Sequence, residues 1–294
     1  MKYLTDSGLE TTLVFLDGRE LPAFAAFPLL DSPEGRNRLS QYYREHADAA
    51  REAQMGFIFE APTWRANPDW GKEVGYDSVA IRRVNADAIA FLRDLQAEYG
   101  DMHTLVSGQV GPRGDGYIPN AAMGMEEAEA YHSVQINAFG RPDMVTALTM
   151  NTTAEAIGVV RAARGADVPV VIAFTVETDG RLATGQPLGD AITQTDDETG
   201  SYAAYFMINC AHPEHFSEEI CATSAKRVRG LRANASTKSH EELDEAEELD
   251  IGDPHALGSA YKTLGEAFAD LSVVGGCCGT DMRHIRAIVR GAMP

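Results

Sequence analysis

Short apolar runs rich in Val, Ile and Phe alternate along the chain with longer stretches whose apolar residues recur at helical spacing. A short continuous apolar run reads as a strand covered on both faces, and a 3.6-residue period reads as an amphipathic helix. Strands are predicted at MKYLTD (1–6), GFIFE (56–60), HTLVSG (103–108), MVTALT (144–149), VPVVIAF (168–174), AAYFMIN (203–209), RVRGLRAN (227–234) and LSVVGG (271–276). Between them the pattern predicts helices at 35–54, 78–98, 125–139, 153–164, 188–194, 213–224, 257–269 and 281–290. In the second of these, Val79, Ile81, Val84, Ile89, Leu92 and Leu95 are expected to line one broad face. Pro33 and Pro213 stand at helix openings, where no N–H is needed.

Eight strand–helix units in 294 residues fit a closed (β/α)8 barrel better than an open doubly wound sheet. No G-x-G-x-x-G follows the first strand, which weakens a dinucleotide-binding reading. No linker or low-complexity segment divides the chain, so residues 1–294 are read as one domain. Barrels of this kind build their sites at the C-terminal ends of the strands. Asp6, Glu60, Thr63, Asn209, Cys210, Asn234, Cys277 and Cys278 all fall at or just past a predicted strand end.

The charge balance removes one class of partner. A net charge of −19 argues against nucleic acid, which needs clustered Lys and Arg, and favours cationic small molecules. Part of the excess is local, in the acidic stretch SHEELDEAEELDIGD (239–253), which reads as a solvated helix or loop face. No apolar stretch is long enough to span a bilayer, and MKYLTDSGLE lacks the apolar run of a secretory signal. A cytoplasmic protein without membrane contact is expected. Nothing in the pattern sets an oligomeric state; long loops at 175–202 and 234–256 leave a homo-oligomer open.

Four cysteines in such a chain are better read as metal ligands, nucleophiles or buried residues than as a disulfide framework. The pair in VVGGCCGT (273–280) is flanked by Gly275, Gly276 and Gly279, which let the backbone turn so that both sulfurs face one object. Cys210 ends the run AAYFMIN and offers a third sulfur. Three thiolates at strand ends suit Zn²⁺ with a fourth position open to an incoming thiol, which becomes a thiolate on coordination. The nucleophile is then the substrate, and no protein group is required as a catalytic base. Cys221, in EEICAT, reads as a packing residue, and His212 and His215 fall in the helix start that follows the strand and are not expected to be ligands.

Taken together these segments resemble the homocysteine S-methyltransferase family over nearly the whole chain. The resemblance rests on DSGLETTL (6–13), EAPTWRAN (60–67), SGQVGPRGDGY (107–117), His132 and PVVIAFTVETDGRLATGQPL (169–188). Its most specific parts are INCAHPE (208–214), RANAS (232–236) and GGCCGTDMRHIRAI (275–288). It implies a barrel whose zinc is held by Cys210, Cys277 and Cys278, and transfer of a methyl group to homocysteine. It further implies that backbone amides near Asp6, Ser7 and Gly8 meet the acceptor, with Glu60, Thr63, Asn209 and Asn234 as pocket or supporting groups.

Three departures from the family pattern stand out. Ser7 replaces a glycine, and Pro62 replaces an amide in the second-strand motif. After the fourth strand, Leu148 and Thr149 stand where the family commonly has Glu-Thr, whose carboxylate resembles the partner of homocysteine's ammonium. Either another acid, Glu60 or Glu177, takes that role, or the acceptor is a different small thiol. The chain offers no segment for a cobalamin or folate module, which favours S-methylmethionine, betaine or dimethylsulfoniopropionate as donor over methyl delivery by a separate corrinoid protein. Trp64, Trp70 and Tyr117 are candidates to face a cationic methyl group. A zinc- or thiol-binding barrel without turnover is the non-enzymatic alternative.

Overall fold

The computed structural model describes residues 1–119, 123–216, 226–246, 248–268 and 270–292. Eight parallel strands close into one barrel in chain order. They are β1 (Tyr3–Leu4), β2 (Gly56–Glu60), β3 (Thr104–Val110), β4 (Met144–Met150), β5 (Val170–Phe174), β6 (Tyr205–Asn209), β7 (Val228–Ala233) and β8 (Val273–Gly276). Closure runs through Tyr3 opposite Val273 and Leu4 opposite Val274. Closing the sheet leaves no edge strand with unpaired backbone groups.

The principal described helices are α1 (Pro33–Glu52), α2 (Ser78–Gln96), α3 (Met125–Ala138), α4 (Thr153–Gly165), α5 (Leu188–Thr199), α6 (Pro254–Ala267) and α7 (Met282–Ala292). Side-chain caps fix several starts. Ser32 accepts from the Gly35 N–H, Asp77 from those of Val79 and Ala80, and Asp253 from those of His255 and Ala256. Each cap satisfies amide groups that the helix leaves free at its first turn. The predicted helix over 213–224 begins as a 3-10 turn at Pro213–His215; residues 217–225, with Cys221, lie outside the described residues. Val79 is 64% exposed, because position 79 lies two residues from Ile81 and so on the far side of the helix.

Strand alternation divides the core in two. Phe57, Phe59, Val170, Ile172 and Phe174 face outward into the layer under the helices, while Ile58, Met144, Leu148, Val171, Ala173, Met207 and Val273 fill the barrel itself. The same parity sends Glu60, Ser107, Gln109, Thr146, Asn209 and Arg232 inward, above that apolar plug. A polar floor therefore forms at the C-terminal end of the barrel from residues that the strand period alone turns inward.

Candidate active site

Cys210 follows β6 in a left-handed backbone conformation, with φ of 55°. Such a conformation is costly for a residue with a Cβ and needs support. The carbonyl of Cys210 supplies it by accepting from His240 Nε2 at 2.7 Å and Asn234 Nδ2 at 3.0 Å. Cys277 and Cys278 follow β8. The glycines before them answer to close approach rather than to a turn: a Cβ at Gly275 would collide with the Thr5 hydroxyl, and one at Gly276 with that of Thr280. Gly279, with φ of 76°, is the residue that makes the turn.

The three sulfurs lie within 4.8 Å of one another. Cys210 Sγ is 2.7 Å from Cys277 Sγ and 3.6 Å from Cys278 Sγ. The Tyr117 hydroxyl stands 3.2 Å from Cys210 Sγ, and its ring stacks on His240 at 4.0 Å between centroids. Hydrogen bonds from the other two thiols, with the Arg232 charge, hold the Cys277 thiol well below its ordinary range. The hydrogen bonds and negative charge of that neighbour push the Cys210 thiol well up.

A cavity of about 400 Å³ opens beside the sulfurs. Asp6, Ser7, Gly8, Glu60, Asn209 and the three cysteines line it, as do Glu10, Trp64, Tyr117, Leu148 and Arg232. Arg232 is buried and paired with Asp6 at 2.7 Å; its Nε donates to the Gly276 carbonyl at 3.0 Å. Burial drives the carboxyl of Glu60 up to about 7 against the pull of Arg232, and burial likewise raises Glu10 to about 7.

Other sequence candidates stand back from the cavity. Thr63 donates to the Gln109 carbonyl at 2.7 Å and does not line the cavity, and Asn234 lies behind Cys210. The Gly8 N–H is taken by Thr280 Oγ1 at 3.2 Å. Trp70 lies under the Arg65 guanidinium, 3.7 Å from its ring centroid, and does not line the cavity. Glu177 is paired with His240 at 3.0 Å. His212 and His215 are outside the sulfur cluster; the first accepts from the Glu214 N–H and the second meets the Thr237 carbonyl. Arg232 and His240 were not singled out by the sequence reading. A lone arginine two residues before Asn234 in a covered strand is the signal that marks the first; the second sits in an acidic stretch that gives none.

A family model for homocysteine S-methyltransferase matches residues 3–291. Among solved structures, the chain is similar to the homocysteine methyltransferase MmuM of Escherichia coli. With the metallated form it shares 18% identity and a TM-score of 0.71, covering 98% of this chain and 96% of that one. With the oxidised form it shares 20% identity and a TM-score of 0.72, covering 98% and 94%. A comparison with curated proteins finds no significant match. At these identities the structural likeness speaks to the barrel. The family model takes in every strand, the cavity and all three clustered cysteines, and the chain belongs to the homocysteine S-methyltransferase family.

Proposed function

We propose that this protein is a zinc-dependent S-methyltransferase that carries a methyl group from a sulfonium or quaternary ammonium donor to homocysteine. The observation that carries the reading is the convergence of three cysteine sulfurs from two strand ends on the wall of a substrate-sized cavity. An all-sulfur donor set suits zinc and not magnesium or calcium, and mutual spacings within 4.8 Å suit ligands of one ion. Cys210, Cys277 and Cys278 would hold it. Zinc bound there stabilises an acceptor thiol as thiolate at neutral pH.

The remaining work falls to the chain. Trp64 and Tyr117 present aromatic surface to the cavity, where a cationic methyl donor gains from the negative faces of the rings. Thiolate sulfur attacks the methyl carbon, a new S–C bond forms, and the electron pair of the broken bond leaves with the neutral sulfide or amine. Positioning both partners in one enclosed space is the main source of rate in such a displacement. A second reading, with a different small thiol as acceptor, is favoured by one feature: Leu148 lines the cavity and brings no charge.

The test is methyl transfer by zinc-replete protein to homocysteine, with S-methylmethionine, betaine and dimethylsulfoniopropionate offered in turn. Methionine formed with one of them supports the reading and identifies the donor. No methionine with any of them overturns direct transfer to homocysteine.

A further inference from the structure

Ser7 and His46 form a pair that thiol methylation does not use. Ser7 follows β1 and stands where the family pattern has glycine, so its hydroxyl is an addition of this chain. His46 lies on α1, and the two residues are only 2% and 1% exposed. Ser7 Oγ is 2.9 Å from His46 Nε2. His46 Nδ1 is 2.7 Å from the Tyr42 carbonyl, one turn back on the same helix. A carbonyl only accepts, so the ring proton sits on Nδ1 and Nε2 keeps its lone pair. Burial lowers the His46 imidazole from its ordinary value, which keeps it neutral. The Ser7 hydroxyl therefore donates to Nε2.

A serine bonded to the basic nitrogen of a histidine, whose other nitrogen is fixed by a third group, is the arrangement of an activated nucleophile. Access and charge stabilisation are also present. Ser7 lines the cavity of about 400 Å³ beside the sulfurs, so its hydroxyl meets a small molecule there while His46 holds it from behind. Arg232 lines the same cavity, and its Nη2 donates to the Ser7 carbonyl at 3.2 Å. Its Nη1 is buried and has no hydrogen-bond partner. The lining also includes Arg65 and buried unpartnered atoms of Glu60 and Trp64; Arg232 is singled out by its bond to Ser7. Asp6 and the Gly276 carbonyl pin the guanidinium, so its free donor is preorganised for negative charge that develops beside Ser7.

We propose that Ser7 is an acyl acceptor and that the protein hydrolyses small carboxylic esters in this cavity, an activity separate from thiol methylation. Ser7 Oγ bonds to the ester carbonyl carbon as its proton passes to His46 Nε2. The carbonyl electron pair moves onto oxygen, where Arg232 Nη1 meets it. As the carbonyl re-forms, the bond to the alcohol oxygen breaks and the alcohol leaves with the proton from His46. Water then adds to the acyl-serine by the same exchange, and the carboxylic acid departs with Ser7 restored. Nothing is oxidised or reduced.

A fluorophosphonate probe, which bonds to activated serine hydroxyls and not to thiols, tests the assignment on the zinc-loaded protein without any substitution. Peptide mass spectrometry should place the adduct on Ser7. Turnover is measured with 4-nitrophenyl acetate. Ser7→Gly, which restores the residue of the family pattern, should lower steady-state hydrolysis at least about 100-fold with zinc content unchanged. His46→Gln should lower it by about 100-fold. No adduct on Ser7 overturns the proposal, as does hydrolysis by folded Ser7→Gly at the rate of the unaltered protein. Either failure leaves thiol methylation standing, because neither probe measures it.

Discussion

The side-chain amide of Asn209 grips both ends of Thr149, reaching from β6 past β5 to β4. Its Oδ1 accepts from the Thr149 N–H at 2.8 Å and its Nδ2 donates to Thr149 Oγ1 at 3.0 Å. Thr149 needs the restraint, since it holds φ of 62° beside an irregularity in the β4–β5 register. A β-branched residue in that region is strained by about 1–3 kcal/mol.

Asn209→Ala should therefore destabilise the protein by about 1–3 kcal/mol in urea unfolding. Adding Thr149→Gly removes the strain that Asn209 holds in check, so the double variant should lose less than the two single changes combined. Strict additivity would show that the clamp carries no load.

His240 acts on the sulfur site without touching a sulfur. It donates to the Cys210 carbonyl, meets Glu177 through its other nitrogen and stacks on Tyr117, joining loops that follow β3, β5 and β7. Loss of an outer partner of a metal ligand commonly weakens metal binding about 10–100-fold. His240→Ala should lower zinc affinity by about tenfold in chelator competition. Unchanged affinity would mean that the Cys210 backbone holds its conformation without the imidazole.

Glu60 should make stability fall as pH rises. Its folded value of about 7 is raised from an ordinary 4.5, so the neutral form is favoured in the fold. That contribution is fully present below the ordinary value and is lost as pH climbs through about 7. Glu60→Gln should match the unaltered protein near pH 4.5 and exceed it by about 2–3 kcal/mol near pH 8. A difference that does not change with pH would place the carboxyl in a wetter setting than its burial indicates.

Much of this was legible in the residues. Continuous apolar runs such as VVIAF predicted strands because both faces of a barrel strand are covered, and each of the eight predicted strands overlaps an observed one. The cysteine pair beside Gly276 and the strand-end Cys210 likewise predicted a cluster that the structure assembles. Short turns were not foreseen, because Pro22–Phe24 and Phe27–Asp31 are too brief to show a period. The helix His240–Asp244 was signalled only by its Ser239/Glu242 capping box, inside a stretch whose charge reads as solvated. Arg232 was missed for a different reason. Strand parity turns it inward, but its partner Asp6 lies 226 residues away on β1's exit, and periodicity within one strand cannot reveal a pairing across the barrel.

The central claim is that the three clustered cysteines hold the metal that makes the acceptor reactive. The most direct measurement is zinc content and thiol methylation on the same samples, for the unaltered protein and for Cys277→Ala, with folding checked by circular dichroism. The account predicts one zinc per chain and methyl transfer in the first. In the second it predicts neither, with the barrel intact. Methyl transfer by folded Cys277→Ala without zinc would contradict it.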